Sequence, residues 1–447
     1  MPRRSLLKPA ERAELLAFPV DEADLIRHYT LSAPDLSVIQ RRRGDHNRLG
    51  FTVLLCCLRH PGFILPPDTD PPFPLLAFIG QQLQISPDVW SLYAQRAQTR
   101  REHLVELQDW LQLTLFCAAD YRRLSNQLTE LGRQTDHGLI IAAALVERLR
   151  QQRIILPTAD VIDRLCGEAM ARGTRQMYEA LIAPLSDLHR RSLDQLLTLR
   201  DGTKSSGLIW LRQPPGPPKP RHLLIHLSRL KAIDELDFPL GLEHTIHQNR
   251  LLKLAREGGQ MTAQHLRDLE PTRRYATLAA LLLDTRASLI DEIIDLHDRY
   301  MGSVFSKAKR NHADRFQQSG KAINDKVRLY SRIGRALLDA KQSGDDPFTA
   351  IEAVIPWDML NQSITEAEQL AQPENFDFLS LIGDDFNQLR RYTPMLLTAL
   401  PMKAAPVALD LLAGVNVIKE MNARQARKVP DDAPIAFVRK RWESLVR

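Results

Sequence analysis

The sequence predicts an all-α protein made of several helical domains, on three observations. Apolar residues recur at helical spacing: Leu104, Leu107 and Leu111 enclose Glu106 and Asp109, and Leu289, Ile293 and Ile294 lead to His297 among Asp291, Glu292, Asp295 and Asp298. That i, i+3, i+4 rhythm gives each helix one apolar stripe. Helix-start signals recur as well. Thr99 with Glu102, Ser192 with Gln195 and Thr365 with Glu368 have capping-box spacing, and Ser86-Pro87 places an N-cap before a first-turn proline. Alternating β-branched runs closed by Asn-Gly or Asp-Gly turns are missing, and Asp201-Gly202 falls in a polar loop.

A chain of 447 residues exceeds a single core, and roughly two to four domains are expected. Three proline-rich breaks punctuate it. The first runs from Pro61 to Pro74, and the second is Pro214-Pro215-Gly216-Pro217-Pro218-Lys219-Pro220. The second cannot be helical and is read as an extended linker and the strongest domain boundary. A weaker break lies at Gly344–Pro347, with further proline at Pro356 and Pro373. No repeat of solenoid period is found.

With 44% hydrophobic and 26% charged residues the chain is expected to fold rather than remain disordered. The cysteines Cys56, Cys57, Cys117 and Cys166 include an adjacent pair and no C-x-x-C, so neither a zinc site nor a disulfide framework is written, in keeping with a reducing cytosol. Met1-Pro2-Arg3-Arg4 leads into polar sequence rather than an apolar leader. The apolar runs at 139–146 and 278–283 fall short of the roughly 18 residues that cross a bilayer. A cytoplasmic protein with no membrane contact is expected.

The net charge of +6 arises from 60 bases against 54 acids, so placement matters more than the total. Between Arg299 and Arg335 ten Lys or Arg face two acids, Asp314 and Asp325. Lys307, Lys309, Arg310, Lys321, Lys326 and Arg328 belong to this run, read as one or two long helices lying along a phosphate backbone. Arg41-Arg42-Arg43 with Asn47 and Arg48 form a second cluster, and Arg96, Arg100 and Arg101 with His103 a third.

The second cluster sits in a suggestive frame. Asp21–Thr30 reads as a short helix with Leu25, Ile26 and Tyr29 inward, Pro34-Asp35-Leu36 opens another, Gly44-Asp45 turns the chain, and Asn47–Leu58 makes a third. Short helices around a glycine turn bearing bases are how helix-turn-helix modules present themselves. The arginines suit phosphates, and Asn47 or His46 a base edge; a solvated helix end is the plainer alternative. At Thr99–His103 a helix N-terminus with Arg100 and Arg101 suits a phosphate, although bases there oppose the helix dipole.

Catalytic signals are weak. His244 and His247 beside Glu243 make half a metal site with no further ligand in view, and a polar helix face is the simpler reading. Asp291, Glu292, Asp295 and Asp298 read as a solvated acidic face rather than a magnesium site. No Walker loop, Gly-x-Gly-x-x-Gly or nucleophile elbow is present.

Several long segments have a familiar look. LLKPAERAELLAFP, RRRGDHNRLGFTVLLCCLRHPG, TRREHLVEL, RRYATLAALLLD, GKAINDKVRLYSRIG, IEAVIPWD, RRYTPMLL and VPDDAPIAFVRKRW occur in order along the chain. Together they resemble the N-terminal portion of TnpA-type replicative transposases of the Tn-three family, and IHQNRLLKLAREGGQMT resembles the mercury-transposon branch. The resemblance implies binding of double-stranded DNA at transposon terminal inverted repeats through successive helical modules. Residues 1–168 would form an N-terminal DNA-binding region, of one module or two divided near 61–74. Residues 169–220 would connect it to a region at 221–447 for further DNA contact, linking and dimerisation. Cleavage in that family belongs to a downstream domain with a DDE triad and magnesium. A chain truncated at Arg447 is then expected to hold no catalytic residue and to need no cofactor. The alternative is a helical interaction protein that self-associates, or pairs with intact transposase and dampens transposition.

Overall fold

The computed structural model describes residues 5–93, 95–200, 202, 205–371, 382–426 and 428–438. The readings at Met1–Arg4, Asp201 and Pro373, and the end of the VRKRW motif, lie outside the described residues. Nineteen α-helices are described. The first ten are α1 (Pro9–Leu15), α2 (Glu22–Tyr29), α3 (Ala33–Gln40), α4 (Asp45–Arg59), α5 (Phe73–Leu83), α6 (Ala97–Leu111), α7 (Ala118–Gln134), α8 (Gly138–Gln151), α9 (Ala159–Ile182) and α10 (Asp187–Leu196). They are followed by α11 (Gly207–Leu211), α12 (Pro220–Asp234), α13 (Gln248–Gln260), α14 (Ala263–Asp268), α15 (Pro271–Ser343), α16 (Pro347–Val354), α17 (Trp357–Leu370), α18 (Gly383–Ala399) and α19 (Leu409–Arg424). Among the described residues there is no strand, merely two isolated bridges, Thr114 with Ile154 and Leu199 with Ser206. The all-α expectation holds.

Two compact units are formed: Met1–Thr198 with Phe238–Leu283, and Leu199–Asp237 with Asp284–Arg447. In the first, α4 is the organising element. Every residue from Leu49 to Leu58 is buried, as suits a helix apolar on all sides. Tyr29 of α2, Val38 and Ile39 of α3, Leu75 and Ile79 of α5 and Leu107 of α6 complete its cluster, which draws on both sides of the 61–74 segment. Each such side chain contributes about 1.5–3 kcal/mol by leaving water.

A second cluster in the same unit joins Leu124 and Leu128 of α7, Leu145 and Leu149 of α8 and Leu165 and Ala169 of α9. α7 and α9 meet backbone to backbone, because a Cβ on Gly173 would lie 2.6 Å from the carbonyl carbon of Gly132. Phe63 packs against both clusters, and the Leu156 amide donates to the Gly62 carbonyl at 2.9 Å, tying them together.

The second unit places α12, the later part of α15 and α18 in contact. His297 on α15 hydrogen-bonds the buried Tyr392 hydroxyl of α18 at 3.0 Å, and Arg286 pairs with Asp234 of α12 at 2.7 Å. The proline-rich segment at 214–219 is non-helical and lies within this unit, with Pro220 at the first position of α12. Just before it, the buried Arg229 donates to the Gln213 carbonyl and side-chain oxygen at 2.8 and 2.9 Å.

Several local expectations are corrected. The N-cap of α6 is Arg96, so Thr99 lies inside the first turn; Ser186, whose hydroxyl accepts from the His189 amide, starts α10 ahead of Ser192. Thr365 falls within α17, whose start is set by Pro356, and its hydroxyl donates back to the Asn361 carbonyl. Ser86 does cap, but the element that follows is a 3-10 turn, Pro87–Leu92. Ile26 is exposed, since it stands one position round from the Leu25 and Tyr29 stripe of a two-turn helix. His244 and His247 do not share a helix: one ends a 3-10 turn and the other caps α13.

Candidate nucleic-acid interface

The turn between α3 and α4 is built by Gly44, which adopts φ 80°, a conformation that L side chains rarely take. Arg42 does not face outward there. Its two Nη groups donate to the Glu106 carboxylate of α6 at 2.7 and 2.9 Å, and its guanidinium stands 5.1 Å from the Phe51 ring centre. Arg48 donates from Nε to the Arg42 carbonyl at 3.1 Å, and Asn47 from Nδ2 to the Arg43 carbonyl at 2.9 Å. These three side chains therefore brace the turn. Arg41 and Arg43 are exposed and have no side-chain partner among the described residues.

The third cluster divides the same way. His103 is buried, with Nδ1 3.0 Å from the Tyr93 hydroxyl and its ring edge-on to Phe51. Burial, helped by the nearby Arg42 charge, lowers its pKa against the opposing Glu106 and Glu102 charges. Its place four residues before Leu107 puts it on the apolar stripe, a signal the sequence already carried. Arg100 donates to the Leu65 carbonyl. Arg96 and Arg101 stay exposed at the start of α6, whose first turn holds no acid.

The basic run at 299–335 lies on one continuous helix rather than two. Lys307 pairs with Asp385 of α18 at 3.1 Å, and Lys326 reaches the Ser363 hydroxyl at 2.9 Å and Glu366 at 2.6 Å, both on α17. Lys309, Arg310, Lys321 and Arg328 are exposed and carry no side-chain partner among the described residues. No residue from 309 to 332 is buried. Sequence spacing gave no sign of Glu106, Asp385 or Glu366 as partners, because each lies dozens of residues from the base it answers.

The carboxylates of α15 are occupied as a helix face would be. Asp295 pairs with Arg299 at 3.2 Å, and Glu292 lies 3.3 Å from Nδ1 of His226. Among the described residues no group of three or more His, Cys, Asp or Glu is placed to hold a metal ion. No helix of the described residues is long and apolar enough to cross a membrane.

Residues 6–169 match a family described as a domain of unknown function, DUF4158. The chain is 54% identical over 446 residues to the transposase for transposon Tn501 of Pseudomonas aeruginosa, covering 100% of this chain and 45% of that protein. The transposase for transposon Tn21 of Escherichia coli is 53% identical over the same span and coverage, and that for gamma-delta of Escherichia coli (strain K12) is 25% identical over 95% of this chain. The chain thus spans less than half the length of these relatives, and over all of its own length it is a homologue of the Tn-three family transposases, in the branch of Tn501 and Tn21.

Proposed function

We propose that this chain binds double-stranded DNA at transposon terminal inverted repeats and does not cut it alone. The observation that carries the reading is the stretch of α15 from 309 to 332, where no residue is fully buried and six exposed cations, Lys309, Arg310, Arg315, Lys321, Arg328 and Arg332, have no side-chain partner among the described residues. Cations that no carboxylate answers are available to an outside polyanion. From Lys309 to Arg328 the stretch rises about 28 Å, near the length of one duplex turn of about 34 Å. Arg41 and Arg43 at the α3–α4 turn, with Arg96 and Arg101 on α6, extend the same chemistry as a helix-turn-helix-like module. In this reading Arg42, Asn47, Arg48, Arg100, His103, Lys307 and Lys326 position the contacts instead of making most of them.

A gel shift with a transposon end against a scrambled duplex tests this. Tighter binding to the end is expected, with log affinity falling by about 0.9 per neutralised phosphate on a log salt axis. Equal affinity for both duplexes would remove the inverted-repeat specificity, and no binding at low salt would remove the whole reading. Incubation of supercoiled plasmid with magnesium or manganese is expected to give no nicking.

A second reading, pairing with intact transposase, is favoured by the exposed Phe348, Trp357 and Met359 on α16 and α17. Light scattering of the chain alone and mixed with intact transposase checks it. The leucine runs at 139–149 and 278–296 contribute little to such a surface, since Leu145, Leu149, Leu278, Leu282, Leu289 and Leu296 are buried within the chain.

A further inference from the structure

The first unit holds a cavity of about 480 Å³ that the DNA reading does not use. Its wall comes from the start of α3 and the ends of α4, α6 and α8, including Asp35, Leu58, Arg59, Trp110, Arg150 and Arg153. This is the far end of α4 from the Gly44 turn.

The lining holds one carboxylate, Asp35, and three guanidinium groups, Arg59, Arg150 and Arg153. Asp35 accepts from both Nη groups of Arg59 and from the Ser32 hydroxyl and amide at 2.6 and 2.8 Å, so its carboxylate is fully answered. Among the described residues Arg150 makes one side-chain bond, from Nε to the Pro61 carbonyl at 2.9 Å, and no ion pair. Arg153 is exposed and makes neither. Burial lowers the pKa of Arg150, and the Glu147 charge on the same helix acts in the opposite direction. The indole of Trp110, 42% exposed, lines the same cavity.

We propose that this cavity binds a nucleotide, its phosphate held by Arg150 and Arg153 and its base laid against Trp110. Guanidinium forks match phosphate oxygens, and an aromatic face accepts any base. The volume lies in the usual range for small-ligand pockets, about 300–1,000 Å³. A free nucleotide and a nucleotide unit of an unpaired strand share this chemistry. The proposal is independent of duplex binding by the basic patches.

Arg153 also supplies a clean variant. It follows α8 with φ 53°, its amide donates to the Arg150 carbonyl at 3.0 Å, and the Ile154 amide to the Leu149 carbonyl at 2.9 Å. Glycine is the usual residue in such a helix-ending turn. Arg153→Gly therefore removes the guanidinium while suiting the backbone.

The test is calorimetric titration of the full chain with deoxyadenosine 5′-monophosphate, deoxyadenosine, inorganic phosphate and a short single-stranded oligodeoxyadenylate. The monophosphate is expected to bind saturably below about 1 mM. The nucleoside and phosphate should each bind at least about tenfold more weakly, because each keeps one half of the recognition. Arg153→Gly should lose about tenfold while melting no lower than the wild-type chain. Trp110→Ala should also lose affinity and Trp110→Phe should restore it. Tighter binding of the oligomer assigns the unpaired strand as the source, and equal or weaker binding assigns the free nucleotide. No saturation by either, phosphate binding as tightly as the nucleotide, or undiminished binding by Arg153→Gly would overturn the proposal.

Discussion

Two stretches of α15 within the second unit share one backbone and differ in almost everything else. From Leu289 to Ala308 a stripe of Leu289, Ile293, Leu296, Tyr300, Val304 and Ala308 is buried, while Asp291, Asp295 and Asp298 stay exposed. From 309 to 332 no residue is fully buried and Ile323, Lys326, Leu329 and Tyr330 form a half-buried side toward its end, while cations stand on the rest of its surface. The first stretch is held by α12 and α18 and has its charges outward in the ordinary way. The second is not held by a core, and its free cations are the part of the chain best placed for an outside polyanion. A charge run becomes a candidate surface once the acids that answer it in space are known, and the two stretches differ on that count.

The largest effect that separates them is on stability. Ile293→Ala, in the fully buried stripe, is expected to cost about 2–5 kcal/mol, measured by urea unfolding. Truncating Phe316 in the other stretch, where the ring is 56% exposed, should change stability by less than about 0.5 kcal/mol. Similar losses from both would mean that the second stretch is packed in solution and would erase the contrast.

The next effect is pH-dependent and belongs to the packed stretch. His226 of α12 is buried, its pKa brought down to about 4 by burial first and then by the Arg229 and His222 charges, while Glu292 lies 3.3 Å away. In the unfolded chain it protonates near 6.5. The unfolded chain therefore binds more protons between these values, so the contribution is complete above about 6.5 and is lost as pH falls toward 4. A loss of up to about 3 kcal/mol is expected over that window. Burial raises the pKa of Glu292, which works in the opposite direction as pH rises. Glu292→Gln should leave the acid-side loss in place, and its disappearance would show that burial of His226 alone is not its source.

The contrast was half legible in the sequence. Leu289, Ile293 and Leu296 lie on a helical repeat, and the run of ten bases against two acids is plain in the chain. Which bases stay free was not legible, because Asp385 and Glu366 answer Lys307 and Lys326 from 78 and 40 positions away. The Gly44 turn repeats the lesson. A triple arginine looks uniform, but Arg42 is drawn inward by Glu106 and Phe51 while its neighbours are not. Helix starts were misplaced where a threonine or serine had capping spacing but Pro356 or Ser186 began the helix earlier.

On DNA the free bases should act one by one. Alanine at Lys309, Arg310, Lys321 or Arg328 is expected to reduce the salt slope by about 0.9 each, and to weaken end and scrambled duplexes alike. Melting temperature should stay within about 1 °C, since exposed side chains without partners hold little of the fold. Unchanged slopes for all four, in fluorescence anisotropy titrations, would move the interface elsewhere.

The smallest and sharpest effect lies between two lysines five residues apart. Lys326 is half-buried and held by Ser363 and Glu366, and its hydrogen bond holds the Glu366 carboxyl below the usual range. A base already matched by a carboxylate on α17 has less charge to offer a phosphate, and such a solvent-screened ion pair adds little to stability. Lys326→Ala is therefore expected to lower stability slightly while shifting the salt slope by less than Lys321→Ala does. Equal slope changes would show that Lys326 leaves Glu366 when DNA binds. The bracing contact between α15 and α17 would then be one that duplex binding opens.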